Sequence, residues 1–231
     1  MRHALSWTYP VVMTASLLTG AFLSSRGRAR LDLPRRDRWA LAVGAFVGAM
    51  LGAKLAFLLI DPRASWRMDD LLDSGKTILG GLLGGYFGVE LTKWTLRLKV
   101  KTGDAFVVPV AASVAVGRLG CFVAGCCYGT PTSLPWGVDF GDGVPRHPTQ
   151  LYEAAFHALM AVGLYRLREQ GRYPRQLMKL YILSYLAYRF LTEFIRPEPR
   201  LFDGLTGYQL IALAMFPLFV YLWRRDERIY A

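Results

Sequence analysis

Apolar positions along the chain fall in long unbroken blocks rather than in alternating or narrow-stripe patterns. About 20 residues of helix cross a hydrocarbon layer about 30 Å thick. Seven blocks approach that length: residues 5–23, 39–60, 78–94, 106–127, 150–167, 177–195 and 205–223. The third and fifth are short, and the third carries Gly80-Gly81-Leu82-Leu83-Gly84-Gly85. No strand alternation or internal repeat stands out. The pattern therefore predicts an all-α integral membrane protein with seven transmembrane helices, forming one polytopic domain over residues 1–231.

Composition agrees. The hydrophobic set makes up 53% of the chain, the mean hydropathy is +0.26 and 19% of residues are charged. Soluble domains average about 25% charged, and disordered chains have the opposite balance, so both classes are excluded. The net charge of +11 would suggest nucleic acid on a soluble protein, but its placement suggests otherwise. Of the 28 basic residues, 18 lie in the segments 24–38, 93–103 and 166–179 and in the tail from Arg224. Only seven lie opposite: Arg2, Arg63, Arg67, Lys76, Arg146, Arg196 and Arg200. By the positive-inside rule the amino terminus is outside and the carboxyl terminus cytoplasmic. The charge is mostly topogenic, and no nucleic-acid partner is expected. Six arginines follow the first block instead of preceding it, so that block is expected to be an uncleaved anchor rather than a signal peptide.

Ionisable residues inside a membrane are functional candidates by default. Lys54, Arg118 and Arg189 lie within spans. Arg118 follows Asp104 by 14 residues, about 21 Å up the helix and so in the outer half. Gln150 and Glu153 open the fifth span from the outside, and Gln209 opens the seventh. Arg189, Glu193 and Arg196 recur at i, i+4 and i+7, one stripe of a helix. Six of the spans can thus contribute to one level facing the outer leaflet. Two buried guanidiniums there suit an anionic head group, because guanidinium stays charged and binds phosphate bidentately. The structural alternatives are an internal ion pair, a snorkelling Arg196, and close helix packing through the glycines of the third span. His157, deeper in the fifth span, is expected to be a hydrogen-bonded structural histidine.

The densest information lies in segment 117–153. It contains Gly117-Arg118-Leu119-Gly120-Cys121-Phe122-Val123-Ala124-Gly125-Cys126-Cys127-Tyr128-Gly129, then Pro131-Thr132, Pro135-Trp136-Gly137 and His147-Pro148-Thr149-Gln150-Leu151-Tyr152-Glu153. A helix leaves the membrane, turns, crosses a Gly/Pro loop and re-enters at Gln150. This segment resembles the prolipoprotein diacylglyceryl transferases of bacterial inner membranes, with their GR-x-GNF-x-NGE-x-(Tyr/Trp)-G signature followed by PT, PWG and HP-(Ser/Thr)-QLYE. The stretch from Tyr185 to Arg196 resembles the family's YG-x-x-RF-x-x-EF-x-R. Gly207-Tyr208-Gln209 resembles its GQ, and Gly52-Ala53-Lys54 its GAR.

The resemblance implies a multi-pass enzyme of the bacterial inner (plasma) membrane. It would move diacylglycerol from phosphatidylglycerol, or another anionic phospholipid, to the lipobox cysteine thiol of a preprolipoprotein, without a cofactor. Arg118 and Arg189 occupy the family's essential arginine positions and Gly129 its turn glycine. The expected catalytic set is Arg118, Arg189, Cys121, Cys126 and His147. The expected substrate-binding set is Lys54, Gly80, Gly81, Gly129, Gln150, Tyr152, Glu153, Glu193, Arg196 and Gln209.

The chain departs from the family where a base is needed. The family's catalytic histidine falls on Leu79, its two signature asparagines on Cys121 and Ala124, and its signature glutamate on Cys126. Leucine cannot accept a proton, and His147 on the outer loop is the obvious substitute. Cys121, three residues past Arg118, shares its face, and a thiol beside a guanidinium is a better nucleophile. A divergent thiol-dependent lipid or acyl transferase, or a membrane thiol oxidoreductase, using Cys121 and Cys126 is therefore the alternative. A third reading is an inactive lipid-binding homologue. The spacing Cys-x4-Cys-Cys could bind zinc with His147 as a fourth ligand, but the vicinal pair is awkward, and no metal is expected.

Overall fold

The computed structural model describes residues 5–28, 33–60 and 77–230. Arg2, Arg30, Arg63, Arg67 and Lys76, part of the charge asymmetry above, lie outside the described residues. Among the described residues are seven α-helices: α1 (Leu5–Arg28), α2 (Arg35–Ile60), α3 (Ile78–Thr95), α4 (Gly103–Val123), α5 (Thr149–Glu169), α6 (Leu177–Thr192) and α7 (Gly207–Tyr230). Each matches one apolar block. Two small antiparallel ribbons, absent from the sequence reading, join them: β1 (Val138–Asp139) with β2 (Pro145–Arg146), and β3 (Arg200–Phe202) with β4 (Leu205–Thr206). Strands of two or three residues are too short to leave an alternating signature.

The distribution of polarity is inverted relative to a soluble protein. Trp7, Leu17, Phe46, Leu91, Trp94, Leu159 and Leu191 are exposed, while Arg118, Gln150, Glu153, His157, Arg189, Glu193 and Gln209 are buried. An apolar exterior of this extent requires an apolar surrounding or a partner. Among the described residues, Arg35–Leu58 and Gly103–Val123 are long and apolar enough to cross a membrane.

The chain divides into two compact units. The first comprises residues 1–31, 102–181 and 194–197, and so contains α1, α4, α5 and the opening turn of α6. Here α1 and α4 pack through small residues: Ser16 donates to the Ser113 carbonyl at 2.7 Å, and Gly20 lies against the Ser113 side chain. Asp104, at the start of α4, accepts hydrogen bonds from the backbone N–H groups of Arg175 and Leu177, which ties the loop before α6 to that helix. The sequence block that ends at 127 exceeds the helix, which stops at Val123. Gly125 takes φ +64°, a left-handed conformation that terminates the helix and carries Cys126 and Cys127 into a turn.

The second unit comprises residues 32–101, 182–193 and 198–231. Its core contact is a glycine zipper between α2 and α3. Gly44, Gly48 and Gly52 face Gly88, Gly84 and Gly80, so that a Cβ on Gly84 would lie 2.2 Å from the Gly48 carbonyl oxygen. Such small-residue seams let backbones approach where the hydrophobic effect gives no drive. Thr77 caps α3, its hydroxyl accepting from the Gly80 N–H at 3.0 Å, and its own N–H donates to the Ala53 carbonyl on α2 at 3.3 Å. Tyr86 of α3 meets Phe219 of α7, with ring centroids 5.1 Å apart. After Thr192 the chain tightens into a 3-10 turn over Glu193–Ile195.

The zipper distinguishes neighbouring glycines. Gly84→Ala is expected to destabilise the protein by about 1–3 kcal/mol, the usual penalty of overpacking. Gly81→Ala, whose Cβ would meet its nearest neighbours at an ordinary 3.7 Å, is expected to leave stability unchanged. Thermal unfolding in detergent, followed by circular dichroism, checks both.

Candidate functional site

In the first unit the signature turn is built around a buried ion pair. Arg118 on α4 and Glu153 on α5 meet with Nη2–Oε2 at 2.5 Å, both side chains less than a tenth exposed. His157 continues the row one turn along α5. Its Nε2 lies 3.8 Å from Glu153 Oε1, and its Nδ1 shares a 2.8 Å hydrogen bond with the Tyr181 hydroxyl. The hydrogen bond expected of His157 is present, to Tyr181. A charge pair out of water persists only with such close partners, and removing one member costs about 3–5 kcal/mol.

The turn after α4 is bonded from below. Gln150 Nε2 donates to the Cys126 carbonyl at 2.5 Å. The Cys127 carbonyl accepts from Thr149 Oγ1 at 2.7 Å and from Arg196 Nη1 at 2.6 Å. Arg196 is thus not a snorkelling terminal arginine. It follows a 3-10 turn rather than a continuous α-helix, and its guanidinium is buried on this carbonyl. Gly129 is required sterically, since a Cβ there would stand 2.6 Å from the Ile195 carbonyl oxygen and 2.7 Å from His147 Cβ. His147 contacts the Tyr152 hydroxyl at 3.3 Å, and the Trp136 indole N–H donates to the same oxygen at 2.8 Å. The β1–β2 ribbon lies over the turn. Phe140 stacks on Tyr128, and Arg146 sits over the Tyr128 ring at 5.0 Å. In this loop the Arg146 guanidinium, bonded to Asp142 at 2.6 and 3.0 Å, holds the Asp142 carboxyl below the usual carboxylate range.

Cys121, Cys126 and Cys127 converge. Their sulfurs all lie within 4.8 Å of one another, with Cys126 and Cys127 at 3.7 Å. Convergence of the vicinal pair depends on Cys127 itself, which adopts φ +61°. For a side chain other than glycine this left-handed conformation costs about 1–2 kcal/mol.

In the second unit Arg189 pairs with Glu193, Nη2–Oε2 at 3.0 Å, and stacks over the Tyr208 ring at 4.2 Å. Glu193 is fully buried. Gln209 is fixed between the Thr206 N–H, donating to Oε1 at 3.0 Å, and the Phe190 carbonyl, accepting from Nε2 at 3.2 Å. Gly80 serves the approach of α2 and α3, Gly81 stands beside it with room for a methyl group, and Lys54 is half-buried on α2. Leu79 is buried, 1% exposed.

Nine of the expected residues therefore belong to the first unit (Arg118, Cys121, Cys126, Gly129, His147, Gln150, Tyr152, Glu153 and Arg196). Six belong to the second (Lys54, Gly80, Gly81, Arg189, Glu193 and Gln209). Sequence reasoning missed Thr149 and Tyr181. Thr149 sits inside the HP-x-QLYE motif and could have been found there. Tyr181 reaches His157 across 24 residues and has no local signal.

Known proteins resemble the chain over most of its length. The family described as prolipoprotein diacylglyceryl transferase matches residues 3–225. A phosphatidylglycerol–prolipoprotein diacylglyceryl transferase of Clostridium tetani is 29% identical over 205 residues, covering 83% of this chain and 81% of that protein. The enzyme of the same name from Bordetella bronchiseptica is 32% identical over 205 residues, covering 82% and 78%. That from Cupriavidus metallidurans is 32% identical over 203 residues, covering 80% and 74%. The chain belongs to the prolipoprotein diacylglyceryl transferase family.

Proposed function

We propose that this chain transfers the diacylglyceryl group of phosphatidylglycerol to the lipobox cysteine thiol of a preprolipoprotein. It does so at the outer leaflet of the bacterial inner membrane, as a single seven-span domain with its amino terminus outside. The observation that carries the reading is the buried Arg118–Glu153 pair, which fixes a guanidinium at the centre of the signature segment. A guanidinium is large enough to hold a carboxylate on one edge and a phosphate on another. Glu153 thereby orients Arg118 toward the phosphate without neutralising the site by protonation. Arg196, in the same unit, adds positive potential, and the second unit holds its own paired guanidinium, Arg189, oriented by Glu193 and by the Tyr208 ring.

The chemistry follows from where charge develops. The acceptor sulfur attacks the glyceryl carbon that carries the phosphate ester. A C–S bond forms, the C–O bond breaks with its electron pair on oxygen, and glycerol-1-phosphate leaves. Fixed guanidiniums stabilise that departing charge more in the transition state than in the ground state. The thiol proton must be removed as well. With Leu79 at the position of the family's histidine, His147 is the imidazole nearest the signature turn in sequence.

Purified protein in detergent, given phosphatidylglycerol and a lipobox-cysteine peptide, is expected to add a diacylglyceryl mass to the peptide. Arg118→Lys should lower this turnover by about 10²–10³, the usual effect of removing one charge-stabilising donor set. No mass gain by the wild-type chain, with phosphatidylglycerol still bound, would overturn the reading in favour of a lipid-binding bundle. The Arg189–Glu193 pair gives a separate test. Glu193→Ala should destabilise the protein by about 3–5 kcal/mol, because it leaves a buried charge unpaired, whereas the double replacement Arg189→Met, Glu193→Leu should restore stability but not turnover. Thermal unfolding and the mass assay measure the two effects independently. Reporter fusions test the topology: a cytoplasm-active reporter should work at the carboxyl terminus and fail when fused after Trp136.

A further inference from the structure

The three cysteines do not fit a role as packing residues. Cys121 and Cys126 are partly exposed and Cys127 is exposed, yet their sulfurs converge within 4.8 Å. Four-coordinate zinc with Zn–S near 2.3 Å places its sulfurs about 3.8 Å apart, and Cys126 and Cys127 already stand at 3.7 Å. The sequence spacing alone argued against this, since neighbouring side chains ordinarily diverge. The left-handed backbone at Gly125 and Cys127, φ +64° and +61°, removes that objection by turning both sulfurs to the side of Cys121.

The arrangement is also held in place without an ion. The Cys126 N–H donates to the Cys121 carbonyl at 3.1 Å, Gln150 holds the Cys126 carbonyl, and Thr149 and Arg196 hold the Cys127 carbonyl. Strain maintained by this many independent bonds is characteristic of functional sites. Arg196 on the turn, and Arg118 one helical turn before Cys121, place two guanidiniums in the unit that would carry three thiolates. Among the described residues the ligand group consists of these three cysteines alone. A structural zinc site closes with four protein ligands, whereas a catalytic one keeps three and leaves a position for substrate.

We propose that Cys121, Cys126 and Cys127 bind one zinc ion whose fourth position takes the thiol of the acceptor's lipobox cysteine. The inference rests on the transferase reading above and supplies what Leu79 lacks. A thiol that coordinates zinc is deprotonated outright. Its proton passes to bulk water as the Zn–S bond forms, and the bound sulfur then attacks the glyceryl carbon. As the C–S bond forms, the C–O bond breaks and glycerol-1-phosphate departs with the electron pair. Water refills the vacated zinc position. No electrons are exchanged with the metal, which suits zinc, a cation without redox chemistry.

The test uses the full chain in detergent, stripped with a chelator and titrated with Zn²⁺ or Co²⁺. One metal per chain is expected, with cobalt giving thiolate charge-transfer absorption and tetrahedral ligand-field bands. Those bands should shift on adding the lipobox-cysteine peptide and stay unmoved by its serine counterpart. Cys121→Ser and Cys126→Ser should each weaken the thiolate bands. Turnover by stripped protein should fall by about 10²–10⁴-fold, the range for a lost proton-transfer group, and return with zinc. Absence of a stoichiometric metal, bands indifferent to the cysteine peptide, or full turnover in the stripped protein would each overturn the inference. So would selective binding of Cu⁺ in a closed three-sulfur site, or a disulfide that persists in the active protein. The wild-type cobalt spectra decide the matter even if a variant fails to fold. They also separate the two ideas: full turnover without metal overturns the zinc site alone, whereas no turnover by zinc-loaded protein overturns the transferase reading.

Discussion

A guanidinium placed in a dry interior dictates much of what surrounds it. Arg118 cannot lose its proton, so Glu153 must meet it, and that requirement fixes α5 beside α4 at the level of the signature. The segment from Ala124 to Pro148 has to leave α4 and return to α5 within reach of this pair. Its constraints follow: a left-handed stop at Gly125, a glycine at 129 because the Ile195 carbonyl lies in the way, and carbonyls at Cys126 and Cys127 bonded by Gln150, Thr149 and Arg196. The β1–β2 ribbon and its Tyr128–Phe140 stack close the segment over itself. The signature is therefore a folded solution to holding one cation, with Gly129 at the point where backbone and side chains approach too closely for a Cβ.

The second unit solves a similar problem with different means. Arg189 is paired by Glu193, in the 3-10 turn directly after its helix, and covered by the Tyr208 ring, so the cation is held without a partner helix supplying the carboxylate. What the unit needs from its other helices is proximity, which the α2–α3 glycine zipper supplies. Gly80 belongs to that zipper, so its first duty is packing. Gly81, one residue on and with space for a methyl group, is the member of the pair whose absent side chain is not explained by helix contact.

Much of this was legible in the sequence, and the limits have physical causes. Helices α1 to α7 follow the apolar blocks, and among the described residues Arg35–Leu58 and Gly103–Val123 are long and apolar enough to cross a membrane. Arg118, Arg189, Glu153 and Glu193 stood out because a charge in such a block needs a reason. The end of α4 was misjudged because Cys126 and Cys127 are as apolar as the helix they follow, and only the backbone conformation at Gly125 separates them from it. The stripe of Arg189, Glu193 and Arg196 presumes an α-helix throughout, whereas the helix gives way to a 3-10 turn over Glu193–Ile195. The Tyr181–His157 bond depends on tertiary position, and the convergence of the three sulfurs on the left-handed backbone at Gly125 and Cys127, neither of which an apolar pattern encodes.

Leu79, where the resemblance places the family's histidine, and the thiols of Cys121 and Cys126 bear on one chemical requirement of the proposed reaction. Thioether formation needs an anionic sulfur, and proteins produce one either by removing the proton with a base or by making the thiolate the better ligand of a cation. The first solution needs a group with a pKa near the working pH, which leucine cannot provide at any depth of burial. The second needs soft ligands held at fixed separations and an open coordination position, and it is indifferent to the loss of the base. On the proposed reading, the Arg118–Glu153 pair serves the leaving group, and the three sulfurs gathered on the strained turn of the same unit serve the acceptor thiol.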